Sequence, residues 1–280
     1  GVNQYLEHGK TPVEFTLLGI PKEKFTPKDF YLIVGYMAFS FAPGFKTDPI
    51  ITQIYRDHGK EYLDDLAINW NKWALTIKNH LALQKIDPGK LALDYQKMIK
   101  PVPLPAFWGS NSWVMGPGKT KNKKVILCND THIGFAQPSV WYEAHIECPG
   151  LSFYGNHLAG FPFGLTGHTR SAAIGITMFE NDDVNFYIEK TNPDNPGQVW
   201  ADTMWQDLAT RQEIIQVKDS LPLTIAVNTS RHGPIMNSAM ESVEKLDSSQ
   251  VSVWWSYYHM ENNTLEAAYL FSHSKSMEET

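Results

Sequence analysis

Apolar and polar positions follow two different rhythms along the chain. Up to residue 99 the apolar residues come in long helical runs. After Pro105 they come in short bursts separated by Gly, Pro and Asn. Thr26-Pro27-Lys28-Asp29 reads as a helix start, with a Thr cap, Pro in the first turn and an acid three residues after the cap. Phe30 to Phe41 is apolar nearly all round, which predicts a buried helix ended by Gly44. Asp48-Pro49 opens a second helix through Tyr55, closed by Gly59. A third runs from about Glu61 to Lys85 and is broken at Asp87-Pro88-Gly89, and Leu91 to Met98 forms a short fourth. Glu14 to Leu18 reads as a strand-like patch.

The second rhythm predicts strands at Trp113–Met115, Val125–Cys128, Val140–Ile146, Ala172–Thr177, Val184–Glu189, Ile214–Lys218, Leu223–Val227 and Val251–Trp255. The tail from Asn262 to Thr280 reads as helical. Helices followed by a run of strands indicate an α+β fold rather than an alternating α/β one.

Composition narrows this only a little. A chain of 280 residues holds one large domain or two small ones. Nine Trp and 12 % aromatic residues make a bulky core or an aromatic-lined pocket. A net charge of −6 gives no general attraction for nucleic acid or anionic membrane. Lys119 to Lys124 reads as a solvated hairpin loop. Cys128 and Cys148 make neither a disulfide framework nor a metal site; lying on neighbouring strand candidates, they form one bridge or two buried thiols. No apolar run reaches membrane-spanning length and no signal peptide opens the chain.

The chemistry concentrates at Trp108-Gly109-Ser110-Asn111-Ser112-Trp113, which follows the proline-spaced run from Lys100 to Pro105. Proline lacks the N–H and fixes φ, so that tract is not helix. If the Gly109-Ser110 bond is cut, Ser110 becomes an N-terminus with a hydroxyl and a free α-amine. An α-amine with a pKa near about 8 takes the hydroxyl proton near neutral pH, so the pair is a nucleophile with its own base.

Two patterns are decoys. Gly116-Pro117-Gly118-Lys119-Thr120 has the tail of a phosphate loop but lacks its first Gly and a following helix. Ala144-His145-Ile146-Glu147 resembles a zinc-deaminase motif, without the Pro-Cys-x-x-Cys partner.

Gly109-Ser110-Asn111-Ser112-Trp113, Asn129-Asp130-Thr131-His132, Gly167-His168 and Arg231-His232-Gly233-Pro234 stand in the order found in the penicillin acylase family, and the chain resembles that family from about Phe15 to about Met277. The resemblance implies an N-terminal nucleophile hydrolase of two stacked antiparallel sheets between helical layers, made as a precursor (zymogen) and cleaved autocatalytically at Gly109-Ser110. Residues 1–99 would be the helical end of an alpha part, 100–109 a spacer, and 110–280 the β-rich start of a catalytic beta part, the two parts remaining partners. The reaction implied is amide hydrolysis through an acyl-serine, on penicillins or N-acyl homoserine lactones. His132, in a turn, would orient the amine of Ser110.

The resemblance places the Met178 N–H at one oxyanion donor position, through Gly175-Ile176-Thr177-Met178. The family's second donor, an Asn with an Arg beyond it, lies further along than residue 280, so these 280 residues are expected to be inactive alone. Met37, Phe41 and Ile133 would line an apolar acyl pocket. A structural calcium would sit on Asp182, the Val184 carbonyl and Asn185, with Asp48 or Thr47 as a further ligand; Asn185, where some members have Asp, weakens it. No organic cofactor is implied. Arg231-His232 would be a structural turn, and His145 and His168 structural histidines. A periplasmic or secreted location follows from the family alone. The competing readings are a non-catalytic extracellular binding module with an aromatic ligand surface and, behind it, a metal-dependent hydrolase using the histidines.

Overall fold

A computed structural model describes residues 1–280 except 43, 67–86, 100–106, 136–138, 180, 241–248, 277 and 280; the side chains of 46, 98, 99, 107 and 108 are also left undescribed. The chain divides into two compact units. The first joins Gly1–Phe41, Pro105–Phe179 and Glu261–Thr280; the second joins Ala42–Leu104 and Glu180–Met260.

In the first unit, α1 (Val2–His8), α2 (Val13–Leu18) and α3 (Pro27–Phe41) precede a run of strands. The stretch expected as strand at Glu14 to Leu18 is therefore helix, entered from Pro12 and closed by Gly19 in the left-handed conformation. An apolar run this short does not by itself separate helix from strand. The start of α3 matches its sequence signature: the N–H and hydroxyl of Thr26 both donate to Asp29 Oδ2, at 2.6 and 2.7 Å. The helix is not buried all round. Met37 packs with Leu158, Phe161 and Ala268, flanked by Ile33, Val34 and Phe41, while Tyr31 and Leu32 stay exposed. Its apolar circumference exceeds the one stripe that the rest of the unit covers.

Strands β1 (Phe107–Met115) and β2 (Ile126–Ile133) form an antiparallel hairpin, with the lysine-rich loop exposed between them. Strands β3 (Trp141–Cys148), β4 (Leu151–Leu158), β5 (Gly164–His168) and β6 (Ala173–Ile174) form a second antiparallel sheet in sequential order. Polar and Gly positions inside β4 and β5 hide both from a strand search. Cys128 is half-buried and Cys148 exposed, both as free thiols, so the pair is neither a bridge nor two buried thiols.

In the second unit, α4 (Gly44–Asp65) begins at the glycine expected to end the previous helix, carries Pro49 inside, and breaks at Gly59. α5 (Pro88–Ile99) starts at the predicted breaker, because the Asp87 carboxylate accepts the Lys90 N–H at 3.0 Å. Residues 67–86 of the expected third helix lie outside the described residues. Strands β7 (Val184–Glu189), β8 (Thr191–Asn192), β9 (Asn195–Ala201), β10 (Met204–Asp207), β11 (Ala209–Ile215), β12 (Leu223–Ser230), β13 (Gly233–Pro234) and β14 (Gln250–Trp255) follow. They pair antiparallel as β14-β7, β10-β9-β8 and β11-β12-β13. The short helix α6 (Ser256–His259) closes this unit, and α7 (Thr264–His273) returns to the first. The α+β expectation holds. Among the described residues no helix is long and apolar enough to cross a membrane.

Candidate active site

The β1–β2 hairpin carries most of the polar residues singled out in the sequence. It pairs Gly109 with His132, Ser110 with Thr131, Asn111 with Asp130 and Ser112 with Asn129. His132 therefore stands on a strand, not in a turn. Asn129, Asp130 and Thr131 are turn formers by composition, but ladder pairing with β1 overrides that preference.

Opposite residues of an antiparallel pair point to the same face, and the face alternates with period two. One face of the hairpin thus bears Ser110, Ser112, Asn129 and Thr131. The other bears Asn111, Asp130 and His132. On this second face His132 Nε2 lies 2.9 Å from Asp130 Oδ2 and 3.3 Å from Asn111 Nδ2. Its Nδ1 is 3.7 Å from where a side chain on Gly109 would begin. In the tautomer that carries its proton on Nε2 and donates to Asp130, Nδ1 is left as the acceptor on the Gly109 side.

The pairing register shifts between Phe107 and Gly109, and Gly109 has φ +147°, a conformation that L side chains rarely adopt. The Gly109-Ser110 bond thus lies at an irregularity of the strand, the kind of place where bulges re-aim a reacting group.

Met178 follows β6 in a stretch without regular structure. Two residues earlier Ile176 is fixed to the hairpin: its N–H donates to Asn129 Oδ1 at 3.1 Å and its carbonyl accepts from Asn129 Nδ2 at 2.9 Å. The structure therefore ties the Met178 segment to the face that bears Ser110. Met37 and Phe41 meet in the core cluster of α3, whereas Ile133 sits half-buried at the end of β2, outside that cluster. Asn129 itself stands out only through its bonds. Beyond Asn111 on the paired strand, its partners Thr166 and Ile176 are 37 and 47 residues away along the chain, beyond the reach of any local sequence signal.

The expected calcium ligands lie in the second unit. Burial, together with the charges of Asp182 and Asp183, pushes the Asp48 carboxyl up to about 7. Burial also raises the Asp183 carboxyl, whose Oδ1 is enclosed without a hydrogen-bond partner. These carboxylates are gathered in one place, and their charge fits calcium. Among the described residues, however, no three or more His, Cys, Asp or Glu side chains form a metal cluster, so carbonyl and amide oxygens from Val184 and Asn185 would have to complete the shell. Glu180, from the same turn, lies outside the described residues.

The three histidines expected to be structural each have a polar neighbour. His168 Nδ1 is 2.9 Å from the Thr169 carbonyl, His145 Nε2 is 3.2 Å from Glu147, and His232 Nδ1 is 2.9 Å from the buried Glu189.

An α+β chain with its Gly109-Ser110 junction at an irregularity of a polar hairpin is the setting in which the comparisons fall. The penicillin amidase family model matches residues 1–280, and the chain belongs to that family. Among curated relatives, the acyl-homoserine lactone acylase QuiP of Pseudomonas aeruginosa is 26 % identical over 249 residues, covering 86 % of this chain and 29 % of the relative. Penicillin G acylase of Escherichia coli is 29 % identical over 129 residues, covering 46 % of this chain and 15 % of the relative. Among solved structures, the thermostable penicillin G acylase of Alcaligenes faecalis aligns with a TM-score of 0.53 and 24 % identity, over 61 % of this chain and 30 % of that one, a likeness of fold. The chain spans less than a third of the length of the acyl-homoserine lactone acylases it matches.

Proposed function

We propose that this chain is part of an N-terminal nucleophile amidase, an acylase that uses Ser110 once the Gly109-Ser110 bond is cut. The observation that carries the reading is the hairpin, which sets this junction, at φ +147° on Gly109, directly across from His132. Family membership and the acylase names of the relatives support it.

In this reading the freed α-amine of Ser110 takes the hydroxyl proton as the oxygen attacks the amide carbonyl. The tetrahedral oxyanion is held by the Met178 N–H. Collapse expels the amine, which takes a proton from the α-ammonium, and leaves an acyl-serine ester. Water then attacks the ester, the α-amine again acting as base, and the acid departs. His132 lies on the opposite face from the serine side chain, so its role is on the backbone side, orienting the amine through Nδ1. The family's arrangement of two stacked sheets between helical layers is proposed with it, as are a second oxyanion donor and a partner formed by the other part of the precursor.

The substrate is an amide with an apolar acyl group, of the penicillin or N-acyl homoserine lactone kind, received against Met37, Phe41 and Ile133. A structural calcium held by Asp48, Asp182, the Val184 carbonyl and Asn185 would neutralise the crowded carboxylates of the second unit; the raised Asp48 carboxyl supports it. We place the protein in the periplasm or outside the cell, which osmotic-shock release of the full-length protein tests.

Intact mass of the full-length protein is expected to show two chains, the second beginning at Ser110, and Ser110→Ala to remain uncut and inactive. An uncut Ser110→Ala protein with wild-type turnover would overturn the reading. Tight ligand binding without hydrolysis of any amide would instead mark a binding module.

A further inference from the structure

We propose that Asn129 is a positioning residue, which locks the segment carrying the Met178 N–H onto the strand carrying Ser110, so that nucleophile and oxyanion donor move as one piece. The inference rests on the acylase reading above.

The carboxamide of Asn129 is used to its full capacity. Nδ2 donates to the Asn111 carbonyl at 3.0 Å and to the Ile176 carbonyl at 2.9 Å; Oδ1 accepts from the Thr166 hydroxyl at 2.7 Å and from the Ile176 N–H at 3.1 Å. Two donors and two lone pairs are all that a carboxamide has. One side chain thereby joins β1, β5 and the stretch after β6. To Ile176 it presents what a neighbouring strand's peptide would present, one acceptor and one donor, where no strand runs.

Ser112, which pairs with Asn129, is two residues from Ser110 on the same face. Gly175 lets the segment lie close to that face: a Cβ there would meet Ser112 Oγ at 2.5 Å and Asn129 Cβ at 3.1 Å. Met178 follows Ile176 by two residues. The distance between the attacking oxygen and the donor therefore passes through very few atoms, most of them fixed by Asn129. Asp in its place would keep the shape but turn an acceptor towards two carbonyls. Gln would add a methylene and displace the segment.

An oxyanion donor acts on the transition state, so misplacing it lowers kcat and leaves KM nearly alone. In the full-length protein, with processed enzyme counted by active-site titration, Asn129→Asp is expected to lower kcat about 100-fold with KM within about threefold. Affinity for an acyl boronate, which mimics the tetrahedral state, should fall in parallel, while affinity for the product acid should not move. Thr166→Val, which removes one of the four bonds, should lower kcat about fivefold with the same signature. It serves as the deciding variant should Asn129→Asp fail to fold or to be cut. Wild-type kcat in either processed variant, whether or not its melting temperature falls, overturns the proposal. So does a change confined to KM. If Ser110→Ala keeps its activity, the acylase reading fails instead, and the proposal fails with it for a distinguishable reason.

Discussion

One histidine–carboxylate pair from each unit makes a contrast: His232 with the buried Glu189, and His132 with the exposed Asp130. In the second unit, Glu189 is buried and accepts at one oxygen from Ser230 at 2.5 Å and Ser252 at 2.7 Å, with His232 Nδ1 at 2.9 Å. Burial pushes that carboxyl up, but the two hydroxyls and the ring outweigh it and hold it below the ordinary range. His232 is further stacked on Tyr187, centroids 4.0 Å apart. In the hairpin the carboxylate, Asp130, is exposed, the imidazole is partly open, and its second nitrogen looks at a backbone that is expected to be cut. A carboxylate partner is common to both imidazoles, so what tells them apart is burial: Glu189 is enclosed and Asp130 is open to solvent.

That contrast is tested most severely at the hairpin. Ser110→Ala should abolish turnover by at least about 10⁴-fold, as loss of a nucleophile does, without lowering the melting temperature. Glu189→Gln should do the reverse. Leaving the hydroxyls and His232 without their anion should cost about 3 kcal/mol in urea unfolding, with kcat of the folded enzyme unchanged. Its pH dependence has a definite sign. A folded pKa below the unfolded one gives stability that is present above pH 4.5 and lost as pH falls through the lowered value, so the variant should lose less on acidification than the parent.

His132→Ala should cost about tenfold in kcat, because orienting an amine is worth less than supplying one. A loss as large as that of Ser110→Ala would mean that the ring takes the proton itself. The smallest effect is expected at Asp48. Its folded pKa, about 7, stands above the unfolded value, so its stabilising contribution is present below pH 3.8 and lost as pH rises to 7 and beyond. In chelator at pH 8, Asp48→Asn should melt a few degrees higher than the parent. Calcium should raise the parent's melting temperature and leave the variant's almost unmoved.

The sequence makes the caps and the outer rhythm legible and hides the centre of the site. Thr26 and Asp29 announce α3, and Val184–Glu189 announces β7 residue for residue, because capping and alternation are local. Ser110 and His132 emerge through an ordered set of short motifs. The strands predicted at Trp113–Met115 and Val125–Cys128 fall within β1 and β2, but the end of β2 stays hidden, since Asn129-Asp130-Thr131 has a turn's composition and earns its extended form from pairing with β1. Asn129 is the sharper case. Its bonds to Thr166 and Ile176 span 37 and 47 residues, and a side chain that crosses between strands leaves no period in the chain. Met37 shows the opposite limit. The family resemblance puts it in a pocket while its residue type favours plain core, and in the structure it packs against Leu158, Phe161 and Ala268.

Gly109 has a consequence for chemical synthesis. Its φ of +147° belongs to the mirror-image half of backbone space. A chain assembled by ligation with D-alanine at 109 should therefore seat its methyl group without torsional penalty, whereas the L-enantiomer must distort the bulge. Handedness at a single atom, rather than side-chain size, becomes the variable that decides whether the backbone before the serine keeps this conformation.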